Sequence, residues 1–276
     1  MTSHLLALAL AVSPVAQAAQ TLEGDILRVY YDDKGNWISE TDEACVQALL
    51  DSEWTEFAWW GSPFQRFQLV WTEGGASYAA VADSESTSDM TVVSETDAST
   101  TTEMASVHEY THESITIVKT ETWDVTSATM LVHFEVTNDG TDDITDLTLV
   151  WEFDPDQDQD ESGGGPSMDA GTSSITLTDP TYETNNDVQD PDGDGVSEWV
   201  QSVGDESGFA VGFLACAPDS STLGHYSSWS SDPGEITTLT DFEGVAGDNA
   251  MVLQHVESRT IAAGATVVTS LLVSFA

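Results

Sequence analysis

Between residues 129 and 153 the chain alternates apolar and polar side chains in two successive runs. In TMLVHFEVT, Met130, Val132, Phe134 and Val136 alternate with Leu131, His133 and Glu135; in LTLVWEF, Leu147, Leu149, Trp151 and Phe153 alternate with Thr148, Val150 and Glu152. A period of two puts each set on one face of a strand, so the runs predict two antiparallel strands paired through the turn Asn138-Asp139-Gly140. Similar runs follow at 199–203 (WVQSV), 209–215 (FAVGFLA), 250–256 (AMVLQHV) and 266–275 (TVVTSLLVSF), the last preceded by an Ala263-Gly264 turn. Upstream, Gly74-Gly75 between RFQLVWT and SYAAVA predicts a hairpin. Residues 22–31 (LEGDILRVYY) read as a strand ended by the turn Asp32-Asp33-Lys34-Gly35-Asn36. The Ser/Thr/Asp-rich interval from Ser84 to Thr102 is read as loop or exposed edge strands. One helix is predicted within 40–61, with Thr41 capping Ala44 to Leu50 and the aromatic cluster Trp54, Phe57, Trp59 and Trp60 after it. The sum is an all-β fold, a large two-sheet antiparallel β-sandwich with one short helix near the N-terminus.

The first 18 residues break this pattern. An apolar run from Leu5 to Val15 leads into the small-residue site Ala16-Gln17-Ala18, which reads as a secretory signal peptide over 1–18. Residues 19–276 are then expected to form a single β-sandwich domain, secreted to a periplasmic or extracellular location. No later stretch approaches the ~18 apolar residues that cross a bilayer, so no membrane insertion is expected. Aspartate and glutamate number 49 against 5 lysines and arginines, a formal charge of −44. Nucleic acid and anionic lipid both present phosphates to such a surface and are excluded as partners. The carboxylates suit salty surroundings, where counterions screen self-repulsion, and can also supply ligands to a hard cation. Cys45 and Cys216 are the only cysteines. After export they can form one disulfide or remain two separate thiols, and spacing alone does not decide between these.

The stretch HEYTHE (108–113) contains His108-Glu109-x-x-His112, the zinc-peptidase spacing when it lies on a helix. Zinc needs both imidazoles about 2.1 Å from one ion, which i and i+4 reach on a helical face. On a strand the same residues lie ~13 Å apart. The flanks TTTEMAS and SITIVKTETW are rich in threonine and β-branched residues and favour strands, so the two histidines are not expected to share a metal. The stronger ion signal is QDPDGDGVSEW (189–199): Asp190, Asp192 and Asp194 alternate, Gly195 permits a sharp turn, Val196 offers a carbonyl and Glu198 a further carboxylate. That oxygen-rich array predicts calcium. Asp154, Asp156, Asp158 and Asp160 also alternate but lack the glycine turn, and a solvated loop is the reading preferred there. His225 and His255 are isolated, and 49 acids give no basis for nominating a catalytic pair. Trp54, Trp59, Trp60, Trp71 and Trp229 could form a sugar-stacking platform, although tryptophans more often belong to a core.

Several segments together, EVTNDGTDDITDLTLVWEFDPDQD (135–158), NNDV (185–188), GDESGFAVGFLA (204–215) and the final run from Gly247 to Phe275, resemble a β-sandwich domain of secreted bacterial and adhesin-like proteins. That domain is similar in outline to galactose-mutarotase-like sandwiches. The aspartate loop at 190–198 resembles those of dockerins, thrombospondin type 3 repeats and EF-hands, but departs from the EF-hand at Gln201, where a bidentate glutamate would stand. The resemblance implies a fold and a location and no established activity. The expected function is therefore a calcium-stabilised binding, adhesive or structural protein at the cell surface. Carbohydrate binding or carbohydrate chemistry is the alternative, with a carbohydrate or a cell-surface protein as partner, and a zinc metallopeptidase is a third reading.

Overall fold

A computed structural model describes residues 20–37, 45–50, 52–57, 65–82, 89–155, 173–177, 199–204, 208–216, 221–226, 245–247 and 250–276. Its described regular elements are all strands: β1 (Gln20–Glu23), β2 (Leu27–Tyr31), β3 (Val46–Leu50), β4 (Glu53–Glu56), β5 (Gln65–Glu73) and β6 (Ala76–Ala82). They continue with β7 (Thr91–Asp97), β8 (Glu103–His112), β9 (Ile115–Asp124), β10 (Thr129–Asn138), β11 (Ile144–Phe153) and β12 (Ser173–Leu177). The last six are β13 (Trp199–Gly204), β14 (Ala210–Ala215), β15 (Ser221–Tyr226), β16 (Val245–Gly247), β17 (Ala250–Glu257) and β18 (Thr266–Phe275). They make a nine-stranded sheet in the order β16-β12-β13-β14-β18-β10-β9-β8-β7, a five-stranded sheet in the order β15-β17-β11-β5-β6, and a four-stranded meander β1-β2-β3-β4. All the pairings are antiparallel.

The two larger sheets face each other because each carries one apolar face. On the nine-stranded sheet that face includes Tyr110, Ile117, Val132, Phe134, Phe213, Val273 and Phe275; on the five-stranded sheet it includes Phe67, Leu69, Trp71, Leu149, Trp151, Phe153 and Leu253, all buried. Phe67 meets Phe134 at 5.2 Å between ring centroids and Trp151 meets Phe213 at 4.8 Å, edge-on or tilted as ring quadrupoles favour. The meander contributes from a third side. Trp37, just beyond β2, packs edge-on against Trp151 and Phe153, and Phe57, just beyond β4, packs against Phe275 at 5.1 Å.

Three expectations change. Of the helix expected over Ala44 to Leu50, the described part from Val46 to Leu50 is instead β3, hairpin-paired with β4. Its alanine and leucines favour helix only by fractions of a kcal/mol, whereas Val46 and Ala48 alternate into the core and Gln47 bonds across the pair to Glu56 at 2.7 Å. The single strand over 22–31 is two strands turning at Gly24. There the backbone comes so close to Val125 and Trp123 that a Cβ would meet the Val125 carbonyl oxygen at 3.0 Å. Finally, β10 and β11 do not pair: β10 lies between β9 and β18, while β11 lies between β5 and β17. Alternation fixes which face is buried but not which strand lies alongside, and residues 139–143 carry the chain from one sheet to the other. The hairpin at Gly74-Gly75 forms as expected, with φ of 56° and 83°, and the interval from Ser84 contains the edge strand β7.

Truncating Trp151 removes contacts with both the opposing sheet and Trp37. Urea unfolding of Trp151→Ala should show a loss of about 3–5 kcal/mol, while Val268→Ala, at an exposed position, should stay within about 0.5 kcal/mol of wild type.

Candidate functional site

The HEYTHE stretch falls on β8 and the turn after it. His108 points into the core and is fully buried, whereas Glu109 points to the other face, where it accepts a 3.3 Å hydrogen bond from Ser94. His112 lies half-buried at the strand end, its Nδ1 3.1 Å from the Asp89 carbonyl and its ring against the edge of Trp71. Extended backbone thus separates the three side chains, and they cannot close on one zinc. Among the described residues, no group of three or more His, Cys, Asp or Glu is disposed to hold a metal. Cys45 and Cys216 are not joined in a disulfide: Cys45 is buried and donates to the Trp37 carbonyl at 2.9 Å, and Cys216 is exposed beyond β14. The calcium-loop residues Asp190, Asp192, Asp194, Val196 and Glu198 lie outside the described residues, as do the signal peptide and Asp156, Asp158 and Asp160.

His108 belongs to a polar cluster inside the sandwich. Strand register sets Glu95, His108 and Lys119 side by side across β7, β8 and β9, with Ser106 and Glu121 in the next row. Lys119 and Glu121 are both fully buried and form an ion pair at 3.2 Å. The turn after β2 closes over them. Gly35 offers its carbonyl to the Lys119 ammonium at 2.6 Å, and the Trp37 indole donates to Glu121 Oε1 at 2.9 Å. Gly35 has φ of 78°, and a Cβ there would stand 2.2 Å from His108 Nδ1, so the turn requires glycine on both counts. His108 Nε2 shares a 2.5 Å hydrogen bond with Ser106. Burial, then the charge of Lys119, holds the His108 imidazole well below its ordinary pKa, hence neutral. Burial raises Glu121, with Lys119 opposing it.

A second buried charge pair lies on the opposite face of the five-stranded sheet from the core. Arg66 on β5 meets Glu152 on β11 at 2.8 Å, and Gln68 donates to the other oxygen of that carboxylate at 2.7 Å. An open cleft lies at one end of the sandwich, where the β5–β6, β8–β9 and β10–β11 connections converge. Its volume is about 540 Å³ and its walls include Glu73, Tyr78, Glu113, Asp139 and Asp142. Tyr78 stacks on buried Trp71 at 5.4 Å and 16°, which fixes the ring on edge strand β6. Glu113 sits at φ of 49° in the tight β8–β9 turn, a conformation uncommon outside glycine. Glu73 holds the Ser114 hydroxyl, and Asp139 accepts from Thr116 at 2.5 Å. The cleft thus combines an aromatic ring with four carboxylates and no cationic side chain among those lining it.

Trp71, nominated for a sugar-stacking platform, lies in the core instead. The cleft residues escaped sequence reading because they come from three separate turns. Lys119 and Glu121 had a legible signal: they share the parity of Ile115, Ile117 and Trp123, so both were bound to point inward with the apolar set.

No protein-family model matches the chain, and no curated protein matches it. Among solved structures it is similar to a bacterial glucoamylase complexed with acarbose, with 10% identity over 94% of this chain and a TM-score of 0.51. The match spans only 32% of the glucoamylase chain. It is similar also to a galactose mutarotase-like protein from Lactobacillus casei, with 12% identity over 94% of this chain and 100% of that one and a TM-score of 0.47. A galactose mutarotase related enzyme from Lactobacillus acidophilus matches at 14% identity over 94% and 97% of the two chains, with a TM-score of 0.43. At these identities the likeness concerns the fold alone.

Lys119→Met leaves Glu121 buried without its cation and should destabilise the protein by about 3–5 kcal/mol. Adding Glu121→Leu should restore much of that loss, because a buried pair replaced by apolar groups leaves no orphaned charge. Chemical denaturation of the two variants against wild type measures both effects.

Proposed function

We propose that this is a secreted carbohydrate-binding protein and that the cleft lined by Tyr78, Glu73, Glu113, Asp139 and Asp142 receives the sugar. The observation that carries the reading is the pairing of a rigid aromatic ring with several carboxylates at an open loop end of the sandwich. A tyrosine ring supplies an apolar face with a polar tip, and ionised carboxylates accept charge-assisted hydrogen bonds from sugar hydroxyls. Loops carried on a rigid β scaffold are common places for such sites. The clustered negative charge disfavours uronate and sulfated glycans and leaves neutral or amino sugars as the ligand class. The fold shared with part of a glucoamylase is compatible with this reading, and no catalytic residue is assigned.

Binding is tested by calorimetry of the full mature chain against neutral oligosaccharides. Tyr78→Ala should weaken affinity about tenfold, the worth of one aromatic contact, and Asp142→Asn should weaken it further, while Glu103→Gln, remote from the cleft, should change nothing. A panel without a binder, or a Tyr78→Ala variant that binds like wild type, would overturn the assignment.

The sequence also supports export and a calcium ion held by Asp190, Asp192, Asp194, the Val196 carbonyl and Glu198 as part of the same proposal. An ion that binds only the folded loop stabilises by mass action, about 2.7 kcal/mol at a hundredfold excess over its dissociation constant. Thermal unfolding should therefore rise with millimolar calcium, less with magnesium, and not in Asp192→Ala/Asp194→Ala. Equal responses to the two metals would reduce the effect to charge screening.

A further inference from the structure

The meander β1-β2-β3-β4 turns one face to the core, with Leu27, Val29, Val46 and Ala48 buried. Alternate residues point the other way, and strand register aligns four of them, Glu23, Arg28, Gln47 and Glu56, in one row across the four strands. The row is joined end to end. Arg28 Nε meets Glu23 Oε2 at 3.3 Å, Arg28 Nη1 donates to Gln47 Oε1 at 3.3 Å, and Gln47 Nε2 donates to Glu56 Oε2 at 2.7 Å. The Cys45 backbone amide anchors Glu56 in turn, at 2.8 Å from Oε1. Two aromatic side chains stand on opposite sides of the row. Tyr30 follows Arg28 on the same face of β2, its Oη 3.5 Å from Arg28 Nη1, and Trp54 on β4, across from Leu49, has its ring centroid 3.8 Å from the Arg28 guanidinium carbon.

We propose that this outer face of the meander is a second carbohydrate site, separate from the Tyr78 cleft, and that it takes a neutral oligosaccharide. It shares the carbohydrate reading above but not its residues. Size narrows the occupant first: four strands about 4.8 Å apart and four or five residues long cover roughly 250 Å², well short of the roughly 800 Å² that each partner gives to a stable protein interface. A small ligand fits that patch. Charge narrows it further, because Glu23 and Glu56 repel an anion in a chain already at −44, while Arg28 repels a cation. A neutral ligand meets neither penalty. The row presents a carboxylate acceptor, a guanidinium donor, an amide that does both and a second carboxylate; a hydroxyl, which donates and accepts, complements every one. Trp54 and Tyr30 add ring surface for the C–H face of a sugar.

The platform is also fixed before any ligand arrives. Glu23 and Gln47 hold the Arg28 guanidinium, which stacks on the Trp54 indole, so neither the ring nor the polar row has to be ordered on binding. That lowers the entropic cost of association. Tyr30, Gln47 and Trp54 all remain partly open to solvent. The guanidinium takes one face of the indole and leaves the rest of its exposed surface to the sugar. Trp54 thus differs from Trp71, whose ring is enclosed by the core.

Calorimetry on the full mature chain carrying Tyr78→Ala, which disables the cleft, separates the two sites. Maltohexaose, cellohexaose and N-acetylated chitohexaose serve as neutral probes, with oligogalacturonate as the anionic control. At least one neutral probe should still bind, and adding Trp54→Ala or Tyr30→Ala should weaken it about tenfold, the worth of one aromatic contact. Trp54→Tyr keeps a ring at that position and should retain most of the affinity, which distinguishes lost stacking from lost folding. A Tyr78→Ala chain that binds no neutral probe would overturn the platform; if the wild type does bind, the cleft stands alone, and if it does not, both sites fall. Oligogalacturonate bound as tightly as the neutral probe would overturn the ligand class. Dimers in sedimentation that Trp54→Ala abolishes would make the face a protein contact and overturn the sugar site.

Discussion

A lysine excluded from water must be given an anion and hydrogen-bond acceptors, and the arrangement around Lys119 shows how much of the structure answers that demand. Its ammonium takes Glu121 as partner and the Gly35 carbonyl as acceptor. To deliver that carbonyl, the turn after β2 must pass directly over β8 and β9, which only glycine permits beside His108. The same passage sets Trp37 edge-on against both Trp151 and Phe153, with its indole on Glu121. One buried charge thereby ties the small meander to both large sheets. Replacing the whole pair by apolar groups would cost less than removing either partner, so the pair acts as a constraint on geometry more than as a source of net stability.

The fold was legible to the extent that burial alternates. β10 and β18 show it plainly because one face of each is apolar, while the threonine and β-branched flanks of HEYTHE put β8 through it and so denied it a zinc site. Pairing was less legible. β10 and β11 look like neighbours in sequence, but a sandwich can route a short connection either along one sheet or across to the other, and alternation is identical in both cases. The β3–β4 hairpin was hidden because its short run of alanine and leucines carries a helix preference too weak to resist tertiary packing. The cleft was illegible for a different reason: Tyr78 lies on a strand, but Glu113 and Asp139 lie in turns, where polar residues are expected anyway and only three-dimensional convergence distinguishes a site from ordinary solvation.

The cluster and the cleft are also connected by a shortage. The chain has five basic side chains against 49 acids, and the structure places most of the five in specific pairs. Lys119 and Arg66 are fully buried with Glu121 and Glu152. Arg28 lies over the Trp54 ring at 3.8 Å and reaches Glu23, and Arg259 clasps Glu257. Few cations are left to neutralise the surface, so its charge is more uniformly negative than the ratio alone conveys. Mobile counterions must supply the screening that lysine supplies on most proteins.

That distribution separates two kinds of carboxylate. On the open surface, salt and water stabilise the ionised form, and Asp124, with its Thr126 hydrogen bonds, is held below its ordinary value. At the edge of the nine-stranded sheet, partial burial raises the Glu95 carboxyl to about 7, with the Asp32 charge adding to the shift. The cleft carboxylates Glu73 and Asp139 are held by hydroxyl contacts in an open cleft. A ligand rich in hydroxyls can replace that water without bringing a charge of its own. An anionic ligand would add to a repulsion the chain has already left uncompensated, so the scarcity of cations that shapes the core also bears on the proposed role of the cleft.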